Sequence, residues 1–159
     1  MTTDGTESIW SAFAASAEKW PTRPFLNVLP ETAAIYGIDA GEITYAQARE
    51  EVDRLASALA DARYGAGHRV MLLLENRPAF FLWLLALNRL GAAAVPVNPD
   101  LREAELAYMA GHGEPALAVA LPDRCAELRK AAADAGVVMP VIAPGDAIPA
   151  PRAEARIAL

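Results

Sequence analysis

Few side chains in this chain combine reactive chemistry with a spacing that would focus it. His68 stands in a turn and His112 in a Gly-His-Gly loop. Neither has cysteine, histidine or carboxylate neighbours at the intervals of a metal site, where ligands recur about two to five residues apart. Both therefore read as surface histidines rather than ligands or general bases. The single cysteine, Cys125, lies early in a predicted helix, where a helix N-terminus would lower a thiol pKa. No dyad partner is spaced to meet it, and it reads as a small, partly buried side chain. Gly65-Ala66-Gly67 suggests a phosphate cradle, but it precedes a strand, whereas a dinucleotide fingerprint follows one and opens a helix. The third glycine position holds Val70, so the segment reads as a connecting turn, and no Walker A pattern occurs. Glu50-Glu51 and Glu103/Glu105 fall on helical faces open to water, with Glu50 and Arg54 at the i,i+4 spacing of an ion pair. Arg124, Arg129 and Lys130 form a small basic cluster beside a strand end at Leu121. Taken alone, this cluster is a solvated helix face.

The elements that must position these groups are organised around Arg69 to Leu101. Arg69 to Glu75 is a continuous apolar run, as expected of a strand covered on both faces. Pro78 suits the first position of a helix, where its missing N–H costs nothing. Gly91 supplies the stop, and Ala92 to Val97 gives a second short strand closed by Asn98-Pro99-Asp100. Two parallel strands joined by a helix are the unit of a doubly wound α/β sheet. The intervening helix, Pro78 to Leu90, is apolar all round, so it must be covered on two sides. The rest of the chain does not readily supply both, which points to a further layer: more polypeptide, or self-association through this helix.

Upstream, Thr6 or Ser8 caps a first helix with Ile9, Trp10, Phe13 and Ala17 on one face, ended by Pro21 and Pro24. Arg23 to Leu29 and Glu42 to Tyr45 are predicted to pair as a hairpin through a loop punctuated by Gly37 and Gly41. Thr44 and Gln47 form a capping box for a long helix that buries Val52, Leu55, Ala56 and Leu59. Downstream, Leu101 to Ala110 is a helix stopped by Gly111 and Gly113. Ala116 to Leu121 is a strand, and Asp123 opens a helix running to about Gly136. Val137 to Ile142 is a fourth strand, which Pro140 assigns to an edge. The fold class is thus α/β: a largely parallel, doubly wound sheet with flanking helices, preceded by an N-terminal helix and a short β-hairpin. Residues 1–142 form this unit and 143–159 read as a Pro- and Ala-rich linker. Ligands of such sheets bind at the carboxyl ends of the strands. Here these ends are Glu75-Asn76-Arg77, Asn98-Pro99-Asp100, Pro122-Asp123-Arg124 and Pro144-Gly145-Asp146.

Bulk properties narrow the partners. A chain of 159 residues is about one domain, long enough for a core without disulfides. The net charge of -6 argues against a nucleic-acid footprint. The lone cysteine fits a reducing compartment, and MTTDGTESIW lacks the basic and apolar regions of a signal peptide, so the expected location is cytoplasmic. The apolar run from Ala79 to Val97 is interrupted by Asn88, Arg89, Gly91 and Pro96, so no membrane span is expected.

One ordered series carries a family resemblance. Thr44-Tyr45 leads into a helix with Arg54-Leu55-Ala56, then Gly65 to Val70, then Glu75-Asn76-Arg77-Pro78 before the bulky helix. Leu90-Gly91-Ala92, Val95-Pro96-Val97-Asn98-Pro99 and Glu105-Leu106-Ala107-Tyr108 complete it. No piece is specific, but their order and spacing resemble the N-terminal part of the adenylate-forming, AMP-binding superfamily, in the manner of an acyl-CoA synthetase or acid–CoA ligase. The resemblance covers about Ser8 to Leu121. It implies a two-step reaction: a carboxylate attacks the α-phosphate of ATP, and a thiol, often that of CoA, then captures the acyl group. It implies ATP, Mg and CoA for a full-length enzyme acting on a small carboxylic acid. It also implies a larger, multilayer α/β domain in which the apolar helix is covered from both sides.

The same resemblance shows what this segment lacks. The Ser/Thr/Gly-rich phosphate loop, the Tyr-Gly-x-Thr-Glu segment, the ribose-binding aspartate, the hinge and the C-terminal lysine have no counterpart here. No catalytic residue carries over, and the isolated chain is expected to be inactive with nothing tightly bound. Arg124, Arg129 and Lys130 occupy the region that lies near the CoA 3′-phosphate in CoA-forming members. The alternatives are an adenylation domain serving a carrier protein, a stand-alone α/β interaction module derived from such an enzyme, and a small nucleotide-binding or receiver-like domain. The last lacks the clustered strand-end acids and the phosphate cradle it would need.

Overall fold

The computed structural model describes residues 8–152. Helix α1 (Ile9–Lys19) begins with Ser8 as its cap: the Ser8 hydroxyl accepts from the Ser11 N–H at 3.0 Å, and Ser11 Oγ accepts from the Ser8 N–H at 2.8 Å. Thr6 lies outside the described residues. Strands β1 (Pro24–Val28) and β2 (Gly41–Thr44) pair antiparallel. The connection between them is not a plain loop. It carries helix α2 (Pro30–Tyr36), with Pro30 at the first turn and Gly37 closing it at φ +62°. Both terminal signals were in the sequence, but seven residues are too short for a helical period to show.

Helix α3 (Tyr45–Asp61) starts with the expected Thr44–Gln47 capping box and buries Ala48, Val52, Leu55, Ala56 and Leu59. Then follow β3 (Arg69–Leu73), α4 (Pro78–Arg89), β4 (Ala93–Pro96), α5 (Glu103–Gly113), β5 (Leu117–Ala120), a 3-10 turn at Pro122–Arg124, α6 (Cys125–Asp134) and β6 (Val141–Ile142). The four strands form a parallel sheet in the order β4-β3-β5-β6, with Val70 opposite both Ala94 and Leu117, and Ala118 opposite Val141. The chain leaves β3 toward β4, then crosses back to β5, so the winding reverses at the β3–β5 pair. That reversal puts helices on both faces.

Alternation along the strands sorts the core. Val70, Leu72, Leu74, Leu117, Val119, Leu121 and Ile142 face α3 and α4, with Phe13 and Ala17 of α1 in the same cluster. Met71, Leu73, Ala118, Ala120 and Val141 face α5 and α6. The apolar helix α4 buries Trp83, Leu85, Ala86 and Leu87 and half-buries Phe80, Phe81, Leu82 and Leu84. It packs on α3 and is flanked by α1. Much of the second cover left by the sequence to another layer is therefore supplied from within. The two polar residues that interrupt this helix serve that docking. Asn88 Oδ1 accepts from the Trp10 N–H at 2.8 Å, and the Arg89 guanidinium sits 4.8 Å from the Trp10 ring centre while pairing with Asp53. Phe13, Phe25 and Tyr45 meet with ring centres 4.9 to 5.7 Å apart, locking α1, the hairpin and α3 together.

Several expectations shift. Ile9 is 59% exposed rather than part of the buried face of α1. Helix α5 runs through Gly111 and Gly113 and ends at Glu114, which takes a left-handed conformation at φ +45°. Arg54 pairs with Glu51, not Glu50, through two contacts of 2.6 and 2.8 Å, because the i,i+3 neighbour lies nearer its fork. The fourth strand shrinks to Val141–Ile142 and does lie at the sheet edge. Beyond it, Asp146 accepts from the Ala143 N–H at 2.8 Å, and Ile148 packs on the core. Among the described residues, no helix is long and apolar enough to cross a membrane.

Candidate functional site

The carboxyl end of β3 leads into a strained backbone position. After Leu73 and the buried Leu74, Glu75 adopts φ +56°. A side chain in that left-handed region costs about 1 to 2 kcal/mol, so something must hold it there. Arg77 does so. Its Nε donates to Glu75 Oε2 at 2.9 Å, its Nη1 donates to the Tyr36 carbonyl at 2.7 Å, and its guanidinium lies 4.7 Å from the Tyr36 ring centre. One planar fork thereby joins the β3–α4 turn to the end of α2.

This turn borders a cavity of about 450 Å³. The cavity is lined by Tyr36, by Glu75 and Asn76 of the turn, by Phe80 of α4 and by the loop 96–100. That loop is braced from the α6 side. Arg124 donates to the carbonyls of Pro99 at 2.7 Å and Leu101 at 3.2 Å, and its Nε bonds Glu127 at 2.7 Å. Two of the four strand ends named from sequence, Glu75-Asn76-Arg77 and Asn98-Pro99-Asp100, thus converge, and Arg124 of a third holds one of them. Sequence reasoning missed Tyr36, because it missed α2. A second cavity of similar size, more apolar, is lined by Arg77, by the hairpin with residues 38–43, and by Leu121.

The basic cluster is dispersed among separate partners. Besides Arg124, Arg129 Nη2 donates to the Val141 carbonyl at 2.9 Å, and Lys130 pairs with Glu103 and, at 3.2 Å, with Asp134. The three share no partner. The lysine side chain is 61% exposed and the Arg124 side chain 21%.

The histidines and the cysteine separate. His68 is not a surface residue: it is 6% exposed, because the turn folds its ring under Tyr64 with centres 5.4 Å apart. Its Nδ1 lies 3.1 Å from the Gly65 N–H, so this histidine closes the Gly65–Gly67 turn. His112 stacks on Tyr108 at the surface. Cys125 is buried with Sγ 3.6 Å from the Ala120 carbonyl. Burial pushes its thiol pKa up, opposed in part by the Arg129 guanidinium, which is the wrong direction for a nucleophile. Among the described residues, no group of three or more His, Cys, Asp or Glu could hold a metal ion.

A strand-end cavity on a doubly wound sheet is common to many enzymes, so geometry alone leaves the lineage open. Residues 13–156 match the family described as AMP-binding enzyme. The chain belongs to that family. Among its relatives, this AMP-binding chain is 27% identical over 137 residues to the sulfoacetate–CoA ligase of Cupriavidus necator, covering 86% of this chain and 25% of that protein. It is 29% identical over 136 residues to triostin synthetase I of Streptomyces triostinicus, covering 80% and 26%. A solved Mycobacterium tuberculosis fatty acyl CoA synthetase superposes with a TM-score of 0.72 at 26% identity, over 88% of this chain and 27% of the other. The chain thus spans about a quarter of the length of these relatives.

Proposed function

We propose that this chain is the N-terminal segment of an ATP-dependent, AMP-forming acid–CoA ligase. In such a reaction a carboxylate oxygen attacks the α-phosphorus of ATP and pyrophosphate leaves. A thiolate then attacks the acyl carbonyl and AMP leaves as the carbon–oxygen bond breaks. The observation that carries the reading is the family match over residues 13–156, which spans the whole parallel sheet and the lining of the cavity. Family members use ATP, magnesium and, where CoA is the acceptor, CoA. In this reading the segment is a scaffold, since its sequence contains no phosphate loop. We therefore expect the 159-residue chain alone to give no ATP–pyrophosphate exchange above background. Measurable exchange by the purified chain overturns that expectation.

Arg124, Arg129 and Lys130 are proposed to lie toward the CoA 3′-phosphate. Their present partners divide the labour. Lys130, on an exposed surface, would exchange its Glu103 and Asp134 partners for a phosphate, whereas Arg124 would act through the Pro99–Leu101 loop it braces. Alanine substitutions in the complete ligase should raise the apparent KM for CoA; an effect confined to ATP argues against the assignment. A second reading, an adenylation domain loading a carrier protein, draws on the similarity to triostin synthetase I, which nearly equals that to the CoA ligase. Offering the complete enzyme CoA and a phosphopantetheinylated carrier in parallel separates the two.

A further inference from the structure

We infer that Arg77 is a positioning residue, whose fork fixes the cavity at the carboxyl ends of β3 and β4 for the uncharged body of the acceptor. The inference rests on the ligase reading above. Three observations carry it. Glu75 stands at φ +56°, a conformation its own side chain disfavours, and its carboxylate is held at 2.9 Å by Arg77 Nε. The same guanidinium holds the Tyr36 carbonyl at 2.7 Å and lies over the Tyr36 ring, so two residues lining the cavity hang on one side chain. Arg77 itself lines the second cavity, so the side chain that holds these two residues is not part of the first cavity's own lining.

The lining decides what the cavity would take. Glu75 and Asp100 contribute carboxylates, Asn76 and Asn98 amides, and Tyr36 and Phe80 rings, with no lysine or arginine among the lining residues. An anionic group is disfavoured there, and a body bearing N–H or O–H donors on an apolar frame is favoured. Also lining it is the loop held by Arg124, which belongs to the basic group proposed for the acceptor's phosphate. Acceptor body and acceptor phosphate would then meet the two sides of one loop. Arg77 acts through Glu75 and Tyr36, the two lining residues it holds.

The test compares R77A, R77K, E75G and E75A in the complete ligase, reading ATP–pyrophosphate exchange, KM for the thiol acceptor and melting temperature. R77A should raise the acceptor KM about tenfold with exchange within about twofold of wild type. R77K keeps the charge but loses the fork, and should recover only part. E75G should lie closer to wild type than E75A, because glycine takes φ +56° freely although both lose the carboxylate. An unchanged acceptor KM in R77A overturns the inference, as does an equal loss of both half-reactions that tracks a falling melting temperature. A wild-type ligase without exchange overturns the ligase reading instead. The fork is then judged on the 159-residue chain, where R77A should speed hydrogen exchange at the Gly37 and Ile38 amides, both bonded to the Ala33 carbonyl, about tenfold. Unchanged protection there overturns the fork itself.

Discussion

The two faces of the parallel sheet are built from different side chains. The face under α3 and α4 presents Val70, Leu72, Leu74, Leu117 and Val119, meets Trp83 and Leu87, and has α1 packed against both helices. The face under α5 and α6 mixes Met71, Leu73 and Val141 with Ala118 and Ala120, and meets Leu106 and Leu128 beside Ala110, Ala131 and Ala132. The first fills its space with large groups, so it is sensitive to losing volume. The second sets small residues among large ones, so at its buried alanines it is sensitive to gaining volume. The polar walls of the cavity stand where these faces end, at the strands' carboxyl edge, so both faces hold it in place.

The largest expected effect probes the first face. Leu72→Ala, at a fully buried position, should lower unfolding stability by about 3 kcal/mol in a urea titration. A loss below about 1 kcal/mol would show that this face collapses easily and would break the contrast. On the second face Ala118→Leu should cost about 1 to 3 kcal/mol by overpacking, whereas the contrast fails if the added volume is neutral.

A smaller change goes the other way. The Tyr64 hydroxyl is buried without a hydrogen-bond partner, and burial pushes the phenol pKa up to about 12. Tyr64→Phe removes that unpaired group and should leave stability equal or raise it by up to about 1 kcal/mol. A clear loss of stability would mean the hydroxyl is used.

The smallest effect is at the surface of α3. The hydrogen bond from Arg54 lowers the Glu51 pKa, against a raising effect of burial. A depressed carboxylate pKa contributes stability that is present above the ordinary value of about 4.3 and fades as pH falls through the lower, folded value. Arg54→Ala should therefore remove at most a few tenths of a kcal/mol near neutral pH and flatten the acid limb. A loss at pH 7 that persists unchanged to pH 2 would point to lost packing, not charge.

What was readable in advance followed how locally each feature is caused. The sheet strands, α4 with Pro78 and Gly91 at its ends, and the Thr44–Gln47 box rest on residues within a few positions of one another. Helix α2 was missed because its seven residues are too few for a helical period to show. The length of α5 was misjudged because Gly111 and Gly113, ordinary breakers, are held in the helix while Glu114 turns the chain. His68 looked exposed because a turn seldom buries its side chain, and only the packing of Tyr64 covers it.

The site divides in the same way. The sequence alone determined which residues crown the strands, since strand ends follow from apolar runs and their polar stops. It also determined the absence of a phosphate loop from this segment. Only the tertiary structure decided that Tyr36 meets Arg77 across 41 positions of chain, that Glu75 turns left-handed under that grip, and that Arg124 spends its donors on the Pro99–Leu101 loop. These are contacts between elements, fixed by how the helices and hairpin settle on the sheet, and no local pattern of residue types encodes where a guanidinium finds its carbonyl.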